Sequence, residues 1–403
     1  MSAGVRKTTV ERDLILLLAV GGLFSLSTAL SNTFVNVFLW KQSNGEFLLI
    51  AIYNLASVML QLLTFIVAGR LAKKIDRIVV LRIGIIFLSI FFFTVLLTRN
   101  VTEETYWLLG ILIGIGLGFY WLAFNVLTFE ITEPETRDFF NGYFGLLNSF
   151  SGMAGPVAAG LVITKMKNMA GYYTIFSISL SLFVLAMIVS FFLQKRKAFG
   201  PYHFFTVVAE RKRNKNWGRI LYAHFFQGIR EGTFSFMIVL LLFIDTNSEL
   251  SVGIYGFVAS LTSFLFYYLA TKFIRPHLRK KAILIGGIIL YLSLFLIAFE
   301  ASFPRFLLYG FLISIAYPIL LVPYDSLTYD VIGKARKVVQ MRIEYIVVRE
   351  VFLNFGRIVS ILCFILAFLF YQGEYTIPAL LLILGSGHSL IYFFISRIEV
   401  HIE

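Results

Sequence analysis

The sequence predicts an all-α membrane protein, with twelve transmembrane helices in two six-helix bundles related by a parallel repeat. Three observations carry that expectation. Of the 403 residues, 59% are hydrophobic and 14% charged, with a mean hydropathy of +0.85, whereas a soluble globule carries about 25% charged residues. The apolar residues fall into runs bounded by charges, and twelve crossings of roughly 20 residues fit this length, leaving about 100 residues for loops and tails. Lysine and arginine are crowded into alternate loops, as cytoplasmic loops require.

In chain order the runs are 13–40, 47–68, 78–98, 106–129, 139–163, 170–193, 219–244, 252–272, 282–299, 305–330, 342–369 and 377–396. The first follows Arg6, Lys7 and Arg12 but extends far beyond the apolar core of a secretory signal and lacks a small-residue cleavage site, so it is expected to remain as a helix. Loops on the amino-terminal side hold 27 of the 35 basic residues. The opposite side holds 5 (Lys41, Arg99, Lys165, Lys167 and Arg305), and Arg230, Arg349 and Arg357 lie inside segments. One missed crossing would swap every later loop, so an even number of crossings in the cell membrane, with cytoplasmic amino and carboxyl termini, is expected. The longest connection, 194–218, carries Lys195-Arg196-Lys197 and Arg211-Lys212-Arg213. It predicts an amino-terminal bundle over 1–193, a basic cytoplasmic linker over 194–218 and a carboxyl-terminal bundle over 219–403.

The halves echo one another at an offset near 200 residues. Asn125-Val-Leu-Thr-Phe-Glu130 closes segment four as Asp325-Ser-Leu-Thr-Tyr-Asp330 closes segment ten. Thr33-Phe34 matches Thr233-Phe234, and Arg77 with Ile83-Gly84 matches Arg279 with Ile285-Gly286. Equivalent places in the same order point to a six-plus-six repeat.

The same residues exclude several functions. The one cysteine, Cys363, lies in an apolar run, so disulfide, redox and cysteine–metal chemistry are not expected. A net charge of +13 would suit nucleic acid, but the basic residues sit in short gaps between apolar segments rather than on one face, so no nucleic-acid partner is expected. No phosphate-cradling G-x-x-x-x-G-K-S/T occurs, which argues against direct ATP drive. No H-E-x-x-H or comparable constellation appears among the five histidines, so neither a metal site nor an enzyme is predicted, and no cofactor.

This organisation resembles the major facilitator superfamily, and two motifs carry the resemblance. Between segments two and three the family has G-x-x-x-D-R/K-x-G-R-K/R, and this chain has Gly69-Arg-Leu-Ala-Lys73-Lys74-Ile-Asp76-Arg77-Ile78. Gly69, Lys74 and Arg77 fit, whereas Lys73 replaces the acid on which the family builds an interdomain latch. In segment five the exporter pattern G-x8-G-x3-G-P-x2-G-G reads here as Gly142, Ser151, Gly155-Pro156 and Ala159-Gly160. Small residues permit close backbone approach, and Pro156 bends the helix and frees a carbonyl. Segment four lacks the arginine of many antiporters and carries a ladder, Gly110, Gly114 and Gly118, that suits close packing on a neighbour.

Charges inside the membrane are the candidate site. Each costs about 2.5–3.5 kcal/mol at a helix centre, so Arg230, Glu231, Asp325, Arg349, Glu350 and Arg357 must pair or reach water. Glu350, Asn354 and Arg357 share one face of segment eleven, and His224, Gln227 and Glu231 share one face of segment seven. Asp325 and Arg349 lie at similar depth, and a pair between them is expected. Structural salt bridges are the alternative reading for all six. Glu130, Asp330, Glu133, Glu135 and Asp138 sit at or beyond helix ends and suit a latch or a solvated loop. The amino-terminal half offers neutral hydrogen bonders instead: Asn32 and Asn36 in segment one, Asn54 in segment two and Asn125 in segment four. With His224, Gln227 and Asn354 these are the expected substrate-cavity residues, the alternative being interhelical hydrogen bonds.

The resemblance implies a monomeric secondary transporter that works by alternating access. Its partners would be membrane lipids, protons and a small-molecule or lipid substrate. An antiporter-type, proton-coupled efflux of a small hydrophobic or amphipathic compound is expected, since 44 Phe among few charges house such a cargo easily. A lipid or glycolipid flippase of the same fold is the alternative, and a non-transporting sensor or scaffold ranks below it.

Overall fold

The computed structural model describes residues 2–98, 102–131, 134–195, 200–335, 337–371, 373 and 375–398, with the side chains of these except 2–11, 129, 134–139, 141, 338 and 339. Arg6, Lys7, Arg99, Glu133, Glu135, Asp138, Arg196 and Lys197 of the sequence reading lie outside the described side chains. In chain order the helices are α1 (Ser2–Gln42), α2 (Phe47–Ala72), α3 (Arg77–Leu97), α4 (Glu103–Ile131), α5 (Pro134–Lys165), α6 (Ala170–Ser190), α7 (Phe204–Glu210) and α8 (Lys215–Thr246). They continue as α9 (Glu249–Phe273), α10 (Arg279–Leu292), α11 (Phe295–Ala298), α12 (Phe303–Gly333), α13 (Val338–Phe370), α14 (Thr376–Gly385) and α15 (Gly387–Ile395).

Twelve spans among the described residues are long and apolar enough to cross a membrane, at the twelve places the apolar runs predict. The ninth is divided into α10 and α11, and the twelfth into α14 and α15. The second break falls at Ser386 between Gly385 and Gly387, where Gly387 lies directly against the backbone of α8 at Phe226 and Arg230. Side chains satisfy backbone donors at several starts: the Asp76 carboxylate accepts from the Ile78 amide at 2.9 Å, Asn214 from Trp217 at 3.1 Å and Ser248 from Ser251 at 3.2 Å. Asn247 ends α8 with a φ of 45°, the left-handed conformation asparagine tolerates.

Lipid is as apolar as leucine, so these helices associate through close packing rather than through hydrophobic burial. The predicted ladder in α4 does this against α2: Gly110 and Gly114 meet the carbonyl oxygens of Tyr53 and Ser57, and a Cβ on Gly118 would stand 2.7 Å from Thr64. Large rings fill the remaining interfaces, as Phe24 stacked on Tyr120 at 3.7 Å shows.

The repeat reads out in matching contacts. Gly84 of α3 packs on Tyr120 and Gly116 of α4, and Gly286 of α10 packs on Leu320 and Ala316 of α12, 200 residues further on. Arg77 pairs with Glu130 at 2.9 Å, and its counterpart Arg279 pairs with Asp330 at 2.6 Å.

The end of the bundle where α1 begins collects the basic loops and is termed the basic end; the other is the far end. At the far end Glu249 of α9 receives Lys41 of α1 and, at 2.8 Å, the Tyr172 hydroxyl of α6. There α5 lies against α9, with Gly160 under the Glu249 carbonyl and Gly253 and Gly256 against Pro156. Toward the basic end the same two helices part. Gly152 still meets Ser260, but Gly142 and Gly145 face open space among the described residues, and Tyr143, Leu146, Phe150, Leu265 and Tyr268 are exposed. The helix-five motif therefore divides: Pro156 and Gly160 pack across the halves, Gly155 packs on Ala29 of its own half, and Gly142 touches nothing. The connection over 194–218, read from sequence as a loop, contains α7, and α8 begins within it at Lys215.

Candidate functional site

Three glycines bring the charges of the carboxyl-terminal half together by letting α8 and α13 cross backbone to backbone. A Cβ on Gly232 would stand 2.5 Å from the Arg357 carbonyl oxygen, and Gly228 and Gly356 lie tighter still against the carbonyls of Leu353 and Phe225. Thr233 and Ser360 hydroxyls meet at 2.8 Å one turn further on. The sequence reading passed over these glycines, although the Gly228/Gly232 spacing is the small-residue pattern of a tight helix crossing.

At that crossing Arg357 donates from Nη2 and Nε to Glu231 Oε2, at 2.6 and 3.2 Å. The other carboxylate oxygen accepts from Gln227 Nε2 at 2.8 Å, Gln227 Oε1 accepts from His224 Nδ1 at 2.9 Å, and Arg357 Nη1 donates to Asn354 Oδ1 at 3.1 Å. Five predicted residues thus form one hydrogen-bonded chain. The Arg357 and Glu231 side chains keep 25% and 20% of their surface exposed, so the pair is not sealed within the helix crossing. Charge-assisted bonds of this length are strong.

The expected pairing of Asp325 with Arg349 is not made. Arg349 turns to Glu350 on its own helix, at 2.7 Å, and to the Tyr329 hydroxyl at 3.5 Å, rather than to Asp325. Neighbours in sequence on one helix outcompete a partner that the α12–α13 crossing holds further away. Asp325 is exposed and makes no ion pair among the described residues. Arg230 points away from Glu231 into the bundle, where it is 1% exposed. It donates to the hydroxyls of Tyr317 and Tyr309 and lies over the Phe234 ring at 4.8 Å. Phenols and a ring face solvate this cation in place of a carboxylate.

The expected cavity residues divide by exposure. Asn32 and Asn125 are exposed, but Asn36, His224, Gln227 and Asn354 are buried and Asn54 is half-buried. Asn54 donates to Asn36 at 2.9 Å, which is the interhelical hydrogen bond held open as the alternative.

Where the family builds its latch on the acid that Lys73 replaces, this structure has an ion pair of reversed sign. Lys73 Nζ, at the end of α2, donates to Glu344 of α13 at 2.5 Å and to the carbonyls of Gln340 and Pro201 at 2.9 and 3.2 Å. Glu344 also accepts from the His203 amide at 2.9 Å. Gly69 is required here, since its Cβ position is 2.7 Å from the Tyr202 hydroxyl and 2.9 Å from Val347. Burial, and then the Glu344 carboxylate, push the Tyr202 phenol up, so it stays protonated beside that acid. Lys74, which also fits the motif, is exposed. Glu344, Lys41, Tyr172 and Glu249 were not singled out from sequence; a lone acid or base at the rim of an apolar run was the available signal.

Two helical repeats that hold ion pairs between them at both ends, Lys41–Glu249 and Lys73–Glu344, while α5 and α9 part toward the basic end, have the architecture of a membrane transporter. The family model of the Major Facilitator Superfamily matches residues 14–343, and the chain belongs to that family. Among characterised folds it is similar to a mutant of the nucleoside transporter NupG, with a TM-score of 0.73 at 11% identity over 96% of this chain and all of that one. It is also similar to the human organic anion transporter MFSD10 (TETRAN), with a TM-score of 0.69 at 14% identity over 96% of this chain and 99% of that one. Identities this low speak for the fold alone. In sequence it is 57% identical over 390 residues to the uncharacterized protein YqgE of Bacillus subtilis (strain 168), covering 97% of this chain and 90% of that protein. It is 60% identical over 167 residues to an uncharacterized protein in the sodM 3' region of Geobacillus stearothermophilus, covering 41% of this chain and 78% of that protein.

Proposed function

We propose that this transporter couples proton movement to export of a small hydrophobic or amphipathic compound, with its termini and the 194–218 linker in the cytoplasm of a cell-membrane protein. The Glu231–Arg357 pair carries the reading. One Glu231 oxygen holds Arg357 of α13 while the other holds Gln227 of α8. Protonation would neutralise the acceptor, release Arg357 and loosen the crossing of α8 and α13, so that proton occupancy and the disposition of the helices bias one another. Glu350 and Asp325 are the other embedded carboxylates of this half, nearer the basic end, each able to take the carrier role if Glu231 does not. The apolar margins of the gap between α5 and α9 favour a substrate that approaches from within the bilayer, and they equally support a flippase as the second reading.

Purified protein reconstituted into vesicles with an imposed proton gradient, assayed with ethidium and with a fluorescent short-chain phospholipid, separates the two. Net ethidium flux that needs the gradient and is lost in Glu231→Gln, with exchange retained, is the expected result. Gradient-driven flux at the parent rate in that variant would remove Glu231 as the carrier. Movement of the phospholipid alone would favour the flippase. A reporter fused to the carboxyl terminus that is active only outside the cytoplasm would overturn the orientation.

A further inference from the structure

The linker helix α7 is seated on the carboxyl-terminal half. The Trp217 indole N–H donates to the Val207 carbonyl at 3.1 Å, and Trp217 stands edge-on to Tyr345 at 5.0 Å, all three fully buried. Between α7 and the start of α13 lies a cavity of about 630 Å³ with a floor of Val207, Met341 and Tyr345. Its mouth carries Lys212, Arg213 and Lys337, which are exposed and have no ion-pair partner among the described residues. One acid, Glu210, stands among them.

Two further observations bear on the occupant. Lys337 is held at φ 53° and ψ 34°, a left-handed conformation that costs a non-glycine residue about 1–2 kcal/mol, so the fold keeps a strained lysine at the rim. Beside the cavity on α7, Phe205 is 82% exposed, and aromatic rings in that state belong at the bilayer boundary. The walls are preformed, because the His203 amide and the Gln340 carbonyl that border the cavity are both bonded within the Lys73–Glu344 latch.

An apolar floor beneath three unpaired cations, next to a ring suited to the bilayer boundary, matches an amphiphile with an anionic phosphate rather than a small soluble anion, which has no use for the floor. We propose that this cavity binds the phosphate headgroup of an anionic phospholipid. The proposal does not depend on what the protein transports or on its coupling ion.

Titration of the detergent-purified protein with short-chain phosphatidylglycerol, read by thermal unfolding, tests it, with short-chain phosphatidylcholine and inorganic phosphate as comparison ligands. Phosphatidylglycerol should raise the melting temperature and phosphatidylcholine should not. The triple variant Lys212→Gln, Arg213→Gln, Lys337→Gln should bind about a hundredfold more weakly, since each basic residue near an anionic headgroup contributes a factor of about five. A control with the same loss of charge elsewhere at the basic end, Lys272→Gln, Arg275→Gln, Lys281→Gln, should bind like the parent. Equal loss in the control would mean unspecific attraction, an equal shift with inorganic phosphate would mean a free-anion site, and no shift with phosphatidylglycerol would mean no site; each overturns the proposal. The substituted side chains are exposed, and the single variant Arg213→Gln, together with native mass spectrometry of lipid retained by the parent, keeps the test decisive if the triple variant unfolds.

Discussion

The two halves share a backbone plan and oppose one another in chemistry. By the 200-residue offset, Glu231 corresponds to Ser31, Arg230 to Leu30 and Asp325 to Asn125. Ser31 donates to the Ser27 carbonyl of its own helix at 2.7 Å, while Glu231 reaches across to another helix. Contacts that hold the fold were kept in both halves: the Gly84 and Gly286 crossings, and the Arg77–Glu130 and Arg279–Asp330 pairs. Charge at mid-depth is confined to one. The difference teaches that the repeat supplies the scaffold twice and the mid-depth charges once, so one half holds ion pairs where the other presents neutral side chains.

The largest expected effect breaks the charged half against its neutral counterpart. Glu231→Gln should lower gradient-driven net flux roughly 5- to 150-fold, the range of a typical coupling free energy, and Ser31→Ala should leave it within about twofold. Equal losses in vesicle flux assays would show that the asymmetry is incidental.

Next comes the latch that ties the halves together. Lys73→Glu places two acids together at a fully buried carboxylate and should destabilise the protein by about 3–5 kcal/mol. Combining it with Glu344→Lys should restore most of the loss in thermal unfolding. A double variant no better than the single one would mean that the contact is steric rather than electrostatic.

The helix-five motif gives an intermediate contrast. Gly160→Leu pushes against Glu249 of the other half, and Gly155→Leu against Ala29 of its own. Overpacking costs about 1–3 kcal/mol in either case, so both should lower the melting temperature, but the first should also alter flux in the protein that remains folded and the second should leave that flux near the parent level. Identical behaviour would remove the distinction between a contact across the halves and one within a half.

The smallest effect compares the repeated pairs. The Arg77 side chain is 6% exposed, whereas Arg279 and Asp330 are 21% and 39% exposed. Arg279→Ala should therefore cost at most about 1 kcal/mol, and Arg77→Ala more. Melting temperatures in the opposite order would show that the pairs are not equivalent members of one repeat.

Much of the fold was readable because its signals are local. A run of apolar residues declares a crossing whatever its neighbours are, and a 200-residue echo declares a repeat without any contact being known. The His224, Gln227, Glu231 face was readable for the same reason, since helical spacing alone puts these three together. The sequence also marked Arg230, Asp325 and Arg349 as embedded charges that need solvation.

Which partner each one found was left to the tertiary structure. Arg349 and Asp325 sit at similar depth yet do not bond, Arg230 is solvated by tyrosines from α12, and Lys73 meets Glu344, 271 residues away, with the sign of the family's latch reversed. An ion pair depends on distances of a few ångströms between helices, which are decided by where Gly228, Gly232 and Gly356 let α8 and α13 approach and by how α5 and α9 part toward the basic end. Those distances are properties of crossing helices, and no periodicity along a single helix encodes them.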